Sequence, residues 1–298
     1  MLRRRDEASV KKKVMEKRAL VLGGGGVTGA AWELGLMAGL AARGIDLAAA
    51  DLVVGTSAGA VTGAQLLSGT DLESLYQQQL EPPVAEIAAR LGAPLIGRQV
   101  WIMLTSSGPT QLRIRMGKLA LRSRTVPADQ RRKVIESRLP SREWPAVPLQ
   151  VTAVDADTGG FVVFDAASEV SLVDAVGASC AVPGVWPPVT IASRRYIDGG
   201  MRSPANADLA AGYDRVIIAA PLGRRGGVLP GAGRQAGDLR AAGAQVVVVS
   251  PDQAARKAIG HNIVDPRRRA PAARAGRAQA AAAEAELRAV WQRPEDSA

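Results

Sequence analysis

The sequence contains few of the side chains from which most metal and redox sites are built. Its 298 residues include one cysteine, Cys180, and one histidine, His261. A single cysteine excludes an intrachain disulfide framework and a cysteine-rich zinc site, and a single histidine excludes a metal centre or proton relay that needs two. These two absences exclude many of the usual catalytic arrangements, so we look for chemistry in hydroxyl, carboxyl and backbone groups.

Long apolar runs and aromatic side chains are also scarce. No stretch approaches the roughly 18 continuous apolar residues of a membrane-spanning helix, and no apolar region of a signal peptide directly follows the basic N-terminus. The expected location is therefore cytoplasmic, with any membrane contact peripheral. The chain has ten aromatic residues, which leave few platforms for base stacking, so nucleic acid is not an expected partner.

What remains is a globular composition with an uneven positive charge. Hydrophobic residues make up 47% and charged residues 22% of the chain, and a chain of this length buries enough surface to fold without metals or disulfides. The net charge is +10, with eight basic side chains in residues 1–18 and twelve in residues 90–142. These segments either form a solvated face or attract an anionic membrane surface.

Two strand–loop–helix units open the predicted folded part of the chain. Ala19–Leu22 is a short apolar run before the glycine-rich residues 23–29, and a helix is predicted from there to Arg43. Asp51–Val54 is a second apolar run, followed by a turn at residues 55–59 and another helix. This β-α-β-α order predicts a largely parallel sheet and an α/β fold class.

The rest of the chain divides by composition. Residues 70–145 are rich in Arg, Gln and Leu and are punctuated by prolines, which predicts a mostly helical insertion or lid. Strand signals return at residues 149–154, 161–164, 216–220 and 245–249. We therefore predict three parts: a basic, disordered N-terminal arm over 1–18, a catalytic domain over 19–265 that contains the insertion, and a C-terminal Ala-rich helix within 266–298.

Gly55-Thr56-Ser57-Ala58-Gly59 is the strongest chemical signal in the sequence. It matches the G-x-S-x-G nucleophile elbow, in which a strained turn between a strand and a helix exposes the serine. Small residues are needed two positions before and after the serine because the turn brings backbone segments too close for a Cβ. Ser57 is therefore the candidate nucleophile.

The glycine-rich loop before the first helix has two interpretations. Gly24, Gly26 and Gly29, with Asp46 further along the chain, satisfy a dinucleotide-binding fingerprint. Alternatively, backbone N–H groups at a helix N-terminus form an oxyanion hole for charge that develops on a carbonyl oxygen, with donors from Gly24, Gly25, Gly26 and Ala58. The elbow favours the second interpretation, because a hydrolase needs both features and a dinucleotide-binding protein needs no nucleophile.

The serine needs a base, and two arrangements are open. Asp198 follows a short strand, and Gly199 and Gly200 would let the backbone turn against the elbow. Burial would raise the pKa of the Asp198 carboxyl and make it a better base. The order Ser57, Asp198, His261 is also that of an α/β-hydrolase triad, so an esterase with a triad is the competing interpretation.

Together these motifs resemble the patatin-like phospholipases. The glycine loop, the serine pentapeptide and Asp198-Gly199-Gly200 follow the order found in that family. Two further stretches are similar to it, Thr152–Asp155 with Thr158-Gly159 and Ala178–Gly184 with Pro187-Pro188. The resemblance covers residues 19–220 and is weakest in the insertion. It implies a three-layer α/β/α sandwich with a mostly parallel central sheet.

The resemblance also implies an activity. It is that of a serine acyl hydrolase which cleaves carboxylic esters of lipids, of the phospholipase A or lysophospholipase type, without metal or cofactor. Ser57 and Asp198 would form a catalytic dyad beside a glycine-loop oxyanion hole, and the partner would be a lipid or phospholipid substrate. One position departs from the family pattern: Thr28 stands where the family commonly has Arg or Lys, so a cation beside the site is missing.

Overall fold

The computed structural model describes residues 16–82, 87, 92–224 and 228–292. Most of the arm predicted over residues 1–18 lies outside these residues, but Arg18 is the first residue of strand β1 (Arg18–Leu22). Its side chain is buried, donates a hydrogen bond to the Trp291 carbonyl and lies 5.3 Å from the centre of the Trp291 ring. The strand therefore begins one residue earlier than predicted.

Within the described residues, an eight-stranded sheet forms the centre of the fold. Five neighbouring strands run parallel in the order β3-β2-β1-β7-β8, while β4 and β6 pair antiparallel with β3, and β5 pairs antiparallel with β6. The remaining strands are β2 (Leu52–Gly55), β3 (Leu149–Asp155), β4 (Phe161–Phe164), β5 (Val189–Ile191), β6 (Arg194–Asp198), β7 (Arg215–Ala219) and β8 (Gln245–Val249).

Helices cover both faces of this sheet. In β1, Leu20 and Leu22 pack into the larger apolar core, while Ala19 and Val21 pack into a second core on the opposite face, because successive side chains of a strand point to opposite faces. Burial on both faces explains why the strand reads as a continuous apolar run. The predicted α/β fold class is confirmed. The helices are α1 (Gly26–Ala41), α2 (Ala58–Leu66), α3 (Leu72–Leu80), α4 (Ala93–Thr105), α5 (Pro109–Arg122), α6 (Ala128–Arg138), α7 (Leu172–Ser179), α8 (Ala232–Ala241), α9 (Gln253–Ile259) and α10 (Arg269–Trp291).

The segment between α2 and β3 is mainly helical in its described part. It contains α3, α4, α5 and α6 and no described strand, as the composition of residues 70–145 predicts. Helix α5 packs so closely on the chain after β3 that a side chain at Gly117 would collide with the Ala156 carbonyl. Among the residues that the structure describes, no helix is both long enough and apolar enough to cross a membrane.

The Ala-rich C-terminal segment forms one long helix that packs along α1. Helix α10 begins at Arg269, after a short 3₁₀ helix over Pro266–Arg268. A side chain at Gly35 would collide with the Ala273 carbonyl, and a side chain at Gly276 would collide with the backbone of α1. Small residues on both helices thus permit close approach, and α10 shares the core of the sheet domain.

Candidate active site

The C-terminal ends of two strands, β2 and β6, face each other along one edge of β3. Strand β2 pairs with residues 149–151 of β3, and β6 pairs with residues 153–155, while β4 occupies the opposite edge. Since β2 runs parallel to β3 and β6 runs antiparallel, their C-terminal ends point toward each other. Gly55 at the end of β2 and Asp198 at the end of β6 therefore converge beside Thr152.

The chain turns sharply after β2 and places Ser57 at the start of α2. Ser57 has φ +53° and ψ −111°, a region that side-chain-bearing residues rarely occupy. A Cβ on Gly55 would lie 2.6 Å from the Cα of Ala60, and one on Gly59 would collide with the Leu22 carbonyl. The glycines are therefore required by backbone contact, and the geometry is that expected of a nucleophile elbow.

The C-terminal end of α7 holds the backbone of Ser57 in place. The Ser57 N–H donates to the Ser179 hydroxyl at 2.8 Å, and the Cys180 thiol donates to the Ser57 carbonyl at 3.3 Å. Burial raises the pKa of Cys180 to about 11, so the thiol stays protonated at neutral pH and acts as a packed donor rather than a nucleophile. This role of Ser179 is not predictable from the residues around it in the chain.

Asp198 is almost fully buried beside the nucleophile, with 3% of its surface exposed. Its carboxyl group accepts a hydrogen bond from the Gly200 N–H at 2.7 Å and lies close enough to the Ser57 side chain for that side chain to lower its pKa. Burial raises the pKa of Asp198 to about 6, and the hydrogen bonds from Ser57 and Gly200 limit the rise. A carboxylate with this pKa is ionised at neutral pH yet is a better base than an exposed aspartate.

His261 lies away from this pair. It follows the end of α9 and is exposed, whereas Ser57 and Asp198 are both buried. In the described chain, the partners of the Asp198 carboxyl are Ser57 and Gly200. The structure thus brings together the two residues predicted as a dyad and does not bring the third residue of the alternative triad to them.

A buried asparagine joins the strand ends that form the site. Asn206 is fully buried and adopts a left-handed conformation with φ +52°. Its Nδ2 atom lies within 3.3 Å of four oxygen atoms, the hydroxyls of Thr56 and Thr152 and the carbonyls of Gly199 and Ser203. Asn206 therefore connects the nucleophile turn, β3 and the loop after Asp198, a role that the sequence did not indicate.

The glycine loop supplies fewer free donors than predicted. The Gly24 N–H already donates to the Pro204 carbonyl at 2.8 Å, so Gly24 is not available as an oxyanion donor in this structure. In the described chain, the N–H groups of Gly25, Gly26 and Ala58 donate to no backbone carbonyl, because they stand at the starts of α1 and α2. Gly26 and Ala58 also line the pocket at Ser57.

The dinucleotide interpretation does not fit the position of Asp46. This residue follows α1, whose 16 residues span about 24 Å at 1.5 Å per residue, whereas the glycine loop precedes that helix. Asp46 caps a short 3₁₀ helix by accepting from the Ala48 N–H. On the side of the loop where a Cβ would stand, Gly25 and Gly26 are packed against Pro221 and Ile263. The loop and the acidic residue therefore cannot share one ligand.

An open pocket next to Ser57 continues into a groove. Besides Ser57, Gly26 and Ala58, the pocket is lined by apolar side chains and by the arginines of α6. Val27, Ala30, Val61 and Arg138 line both the pocket and the adjoining groove, which extends to Arg269. An apolar floor with cationic side chains along it suits an amphipathic, anionic molecule.

Two arginines of the insertion stand at the pocket. Arg131 is buried, and its guanidinium lies 3.8 Å from the centre of the Trp186 ring, while Arg138 is partly buried. Thr28, in contrast, is turned away to the Ile263 carbonyl, to which its hydroxyl donates at 3.2 Å. Cations absent from the glycine loop are thus supplied by α6, which the sequence did not indicate because α6 is distant along the chain.

A buried acid lies behind the site. Glu33 on α1 is fully buried, next to the Thr62 side chain of α2 and the backbone of Gly23. Burial raises the pKa of Glu33 well above its usual value, which favours the neutral acid at the junction of the two helices that start at the site.

Comparisons with known proteins give one family match and two similar solved structures. The family model described as "Patatin-like phospholipase" matches residues 20–211. Among solved structures, the chain is similar to VipD from Legionella pneumophila, with 14% identity, a TM-score of 0.46, and coverage of 92% of this chain and 67% of that chain. It is also similar to the type III effector protein ExoU, with 17% identity, a TM-score of 0.41, and coverage of 93% and 54%.

The buried carboxyl predicts a pH-dependent effect of Asp198→Asn on stability. Because the folded-state pKa is raised, the contribution of Asp198 is fully present below about pH 4 and is lost as pH rises through about 6. The variant should therefore gain about 2 kcal/mol in unfolding free energy over the parent protein between pH 4.5 and 7.5, measured by urea unfolding. The exposed Asp129→Asn serves as control, and an equal difference at both pH values would contradict the burial argument.

Proposed function

The chain belongs to the patatin-like phospholipase family, and on that premise we propose that it is a serine acyl hydrolase that cleaves carboxylic esters of lipids through Ser57 and Asp198. The observation that carries the proposal is the position of the Ser57 side chain beside the buried Asp198 carboxyl, close enough to lower the pKa of that carboxyl. This arrangement provides a nucleophile, a buried base beside it, and the backbone N–H groups of Gly26 and Ala58, which line the pocket together with Ser57.

In the first half-reaction, the Ser57 oxygen attacks the ester carbonyl carbon and its proton passes to Asp198. The carbonyl oxygen becomes negatively charged and accepts hydrogen bonds from the N–H groups of Gly25, Gly26 and Ala58. Collapse of the tetrahedral intermediate breaks the carbon–oxygen bond of the ester, and the alcohol leaves with the proton held by Asp198. The product is an acyl group on Ser57.

Water completes the cycle. Asp198 takes a proton from the water molecule that attacks the acyl carbonyl, and the same donors stabilise the second oxyanion. The bond to Ser57 breaks, Ser57 regains its proton from Asp198, and the fatty acid is released. One ester and one water thus give one alcohol and one carboxylic acid. The raised pKa of Asp198 suits both proton transfers, since it lies close to neutral pH.

The pocket favours phospholipids over neutral esters. Arg131 and Arg138 line it together with Ser57, and guanidinium groups bind phosphate oxygens strongly. The apolar Val27, Ala30 and Val61 continue into the groove and would accommodate an acyl chain. We therefore assign the activity to the phospholipase A or lysophospholipase type, with peripheral contact of the basic surface with an anionic membrane.

The dyad predicts a specific pattern of losses in the hydrolysis of a soluble p-nitrophenyl ester. Ser57→Ala removes the nucleophile and should reduce activity to the uncatalysed background. Asp198→Asn removes the base and should lower kcat by about 10²- to 10⁴-fold. His261→Gln should retain activity within about threefold, because His261 is exposed while Ser57 and Asp198 are buried. Initial rates on purified, folded variants provide the measurement. A loss on His261→Gln comparable with that on Asp198→Asn would favour the triad.

The cationic pocket predicts selective loss of phospholipid hydrolysis in Arg138→Gln. A charged hydrogen bond contributes roughly 1.5–3 kcal/mol, so kcat/KM for a lysophospholipid should fall by about tenfold or more. The value for a p-nitrophenyl ester with the same acyl chain should remain nearly unchanged. Arg142→Gln is the matched control, since 71% of the Arg142 side chain is exposed and it does not line the pocket. An equal fall for both substrates would refute phosphate recognition by Arg138.

A further inference from the structure

Helix α4 presents an apolar face to solvent. Ile96, Val100, Trp101 and Leu104 have exposed fractions of 44%, 45%, 60% and 72%, and their spacing places them on one side of the helix. They are four of the six large hydrophobic side chains exposed in the described chain. Ile102, on the other side, is buried and anchors the helix. We call these four side chains the α4 face.

The part of the chain that contains the α4 face is positively charged. Between residues 87 and 128 the chain has seven basic residues and no acidic one. Arg98 is exposed on the same helix, and the Arg115 guanidinium lies 4.7 Å from the centre of the Trp101 ring. Arg115 also donates to the hydroxyls of Thr105 and Ser106, which keep it at the end of the face. An apolar stripe bordered by cations complements an anionic lipid surface.

Helix α4 is attached to the wall of the pocket. The Gln99 side chain donates to the Pro183 carbonyl at 2.9 Å, and the Leu95 side chain fills the space beside Gly184. The same stretch of chain continues to Trp186, which lines the pocket at Ser57. Contact of α4 with a surface would therefore bring the pocket to that surface.

We propose that α4 is a membrane-docking helix whose apolar face inserts into an anionic lipid leaflet. The aromatic ring and the aliphatic side chains enter the acyl boundary, while Arg98 and Arg115 contact the lipid head groups. The inference extends the proposed function, because a docked α4 delivers lipid to Ser57, but docking itself needs no active nucleophile. Protein carrying Ser57→Ala therefore tests docking without hydrolysis of the vesicles.

The test measures co-sedimentation with vesicles of phosphatidylcholine containing 30% phosphatidylglycerol. In the Ser57→Ala background, Trp101→Ser with Leu104→Ser should weaken binding at least tenfold. Leu222→Ser with Val228→Ser is the matched control, since it removes the other two exposed hydrophobic side chains and should change binding less than threefold. Pure phosphatidylcholine vesicles and raised salt should both weaken binding of the parent protein. Equal losses in the two double variants would overturn the assignment to α4.

Two further readouts separate docking from alternative explanations. Brominated lipid should quench the tryptophan fluorescence of the vesicle-bound protein, and Trp101→Phe should remove most of the quenching while still binding. Quenching unchanged by Trp101→Phe would contradict insertion of the α4 face. Sedimentation velocity without lipid tests whether a second copy of the chain covers the α4 face instead of lipid. A dimer that Leu104→Ser dissociates, with no vesicle binding, would also overturn the proposal.

With Ser57 intact, both double variants should hydrolyse a soluble p-nitrophenyl ester at the parental rate. Absence of hydrolysis in the parent would refute the proposed function and leave the docking result unaffected.

Discussion

The site depends on the meeting of two strand ends on one edge of β3. Strand β2 arrives from one direction and β6 from the other, so a hydroxyl and a carboxyl 141 positions apart in the sequence become neighbours at Thr152. Asn206 fixes this junction through hydrogen bonds to both strand ends and to β3. Any change in the register of β6 would move Asp198 away from Ser57, because the two residues share no local segment.

Burial at this junction gives the site its chemical character. The Asp198 carboxyl is removed from water and has few partners, so its pKa rises toward neutrality, which makes a base at the expense of stability at pH 7. The left-handed conformation of Ser57 is a second local cost. Both are tolerated because α2 and α7 are packed against the sheet in the main apolar core. The start of α1 then provides amide donors whose direction is set by that helix rather than by side chains.

Local signals in the sequence predicted the parts of the structure that depend on local physics. The apolar runs located β1, β3, β4, β7 and β8 to within about two residues, and the spacing of small residues around Ser57 predicted the turn. The predictions failed or were missing where distant segments decide the outcome. Pro204 takes the Gly24 amide, Asn206 joins the strand ends, and α6 supplies Arg131 and Arg138 to the pocket. None of these contacts leaves a periodic or compositional trace, because each joins segments that are far apart in sequence.

The direct test of the account is the pH dependence of the reaction of Ser57 with a fluorophosphonate, followed by intact mass and peptide mapping. A Ser57–Asp198 dyad predicts one adduct, on Ser57, with a rate that rises around pH 6 as Asp198 loses its proton. Asp198→Asn should abolish this rise and slow the reaction, while His261→Gln should leave the profile unchanged. An adduct on another residue, or a profile that follows His261 instead of Asp198, would contradict the dyad.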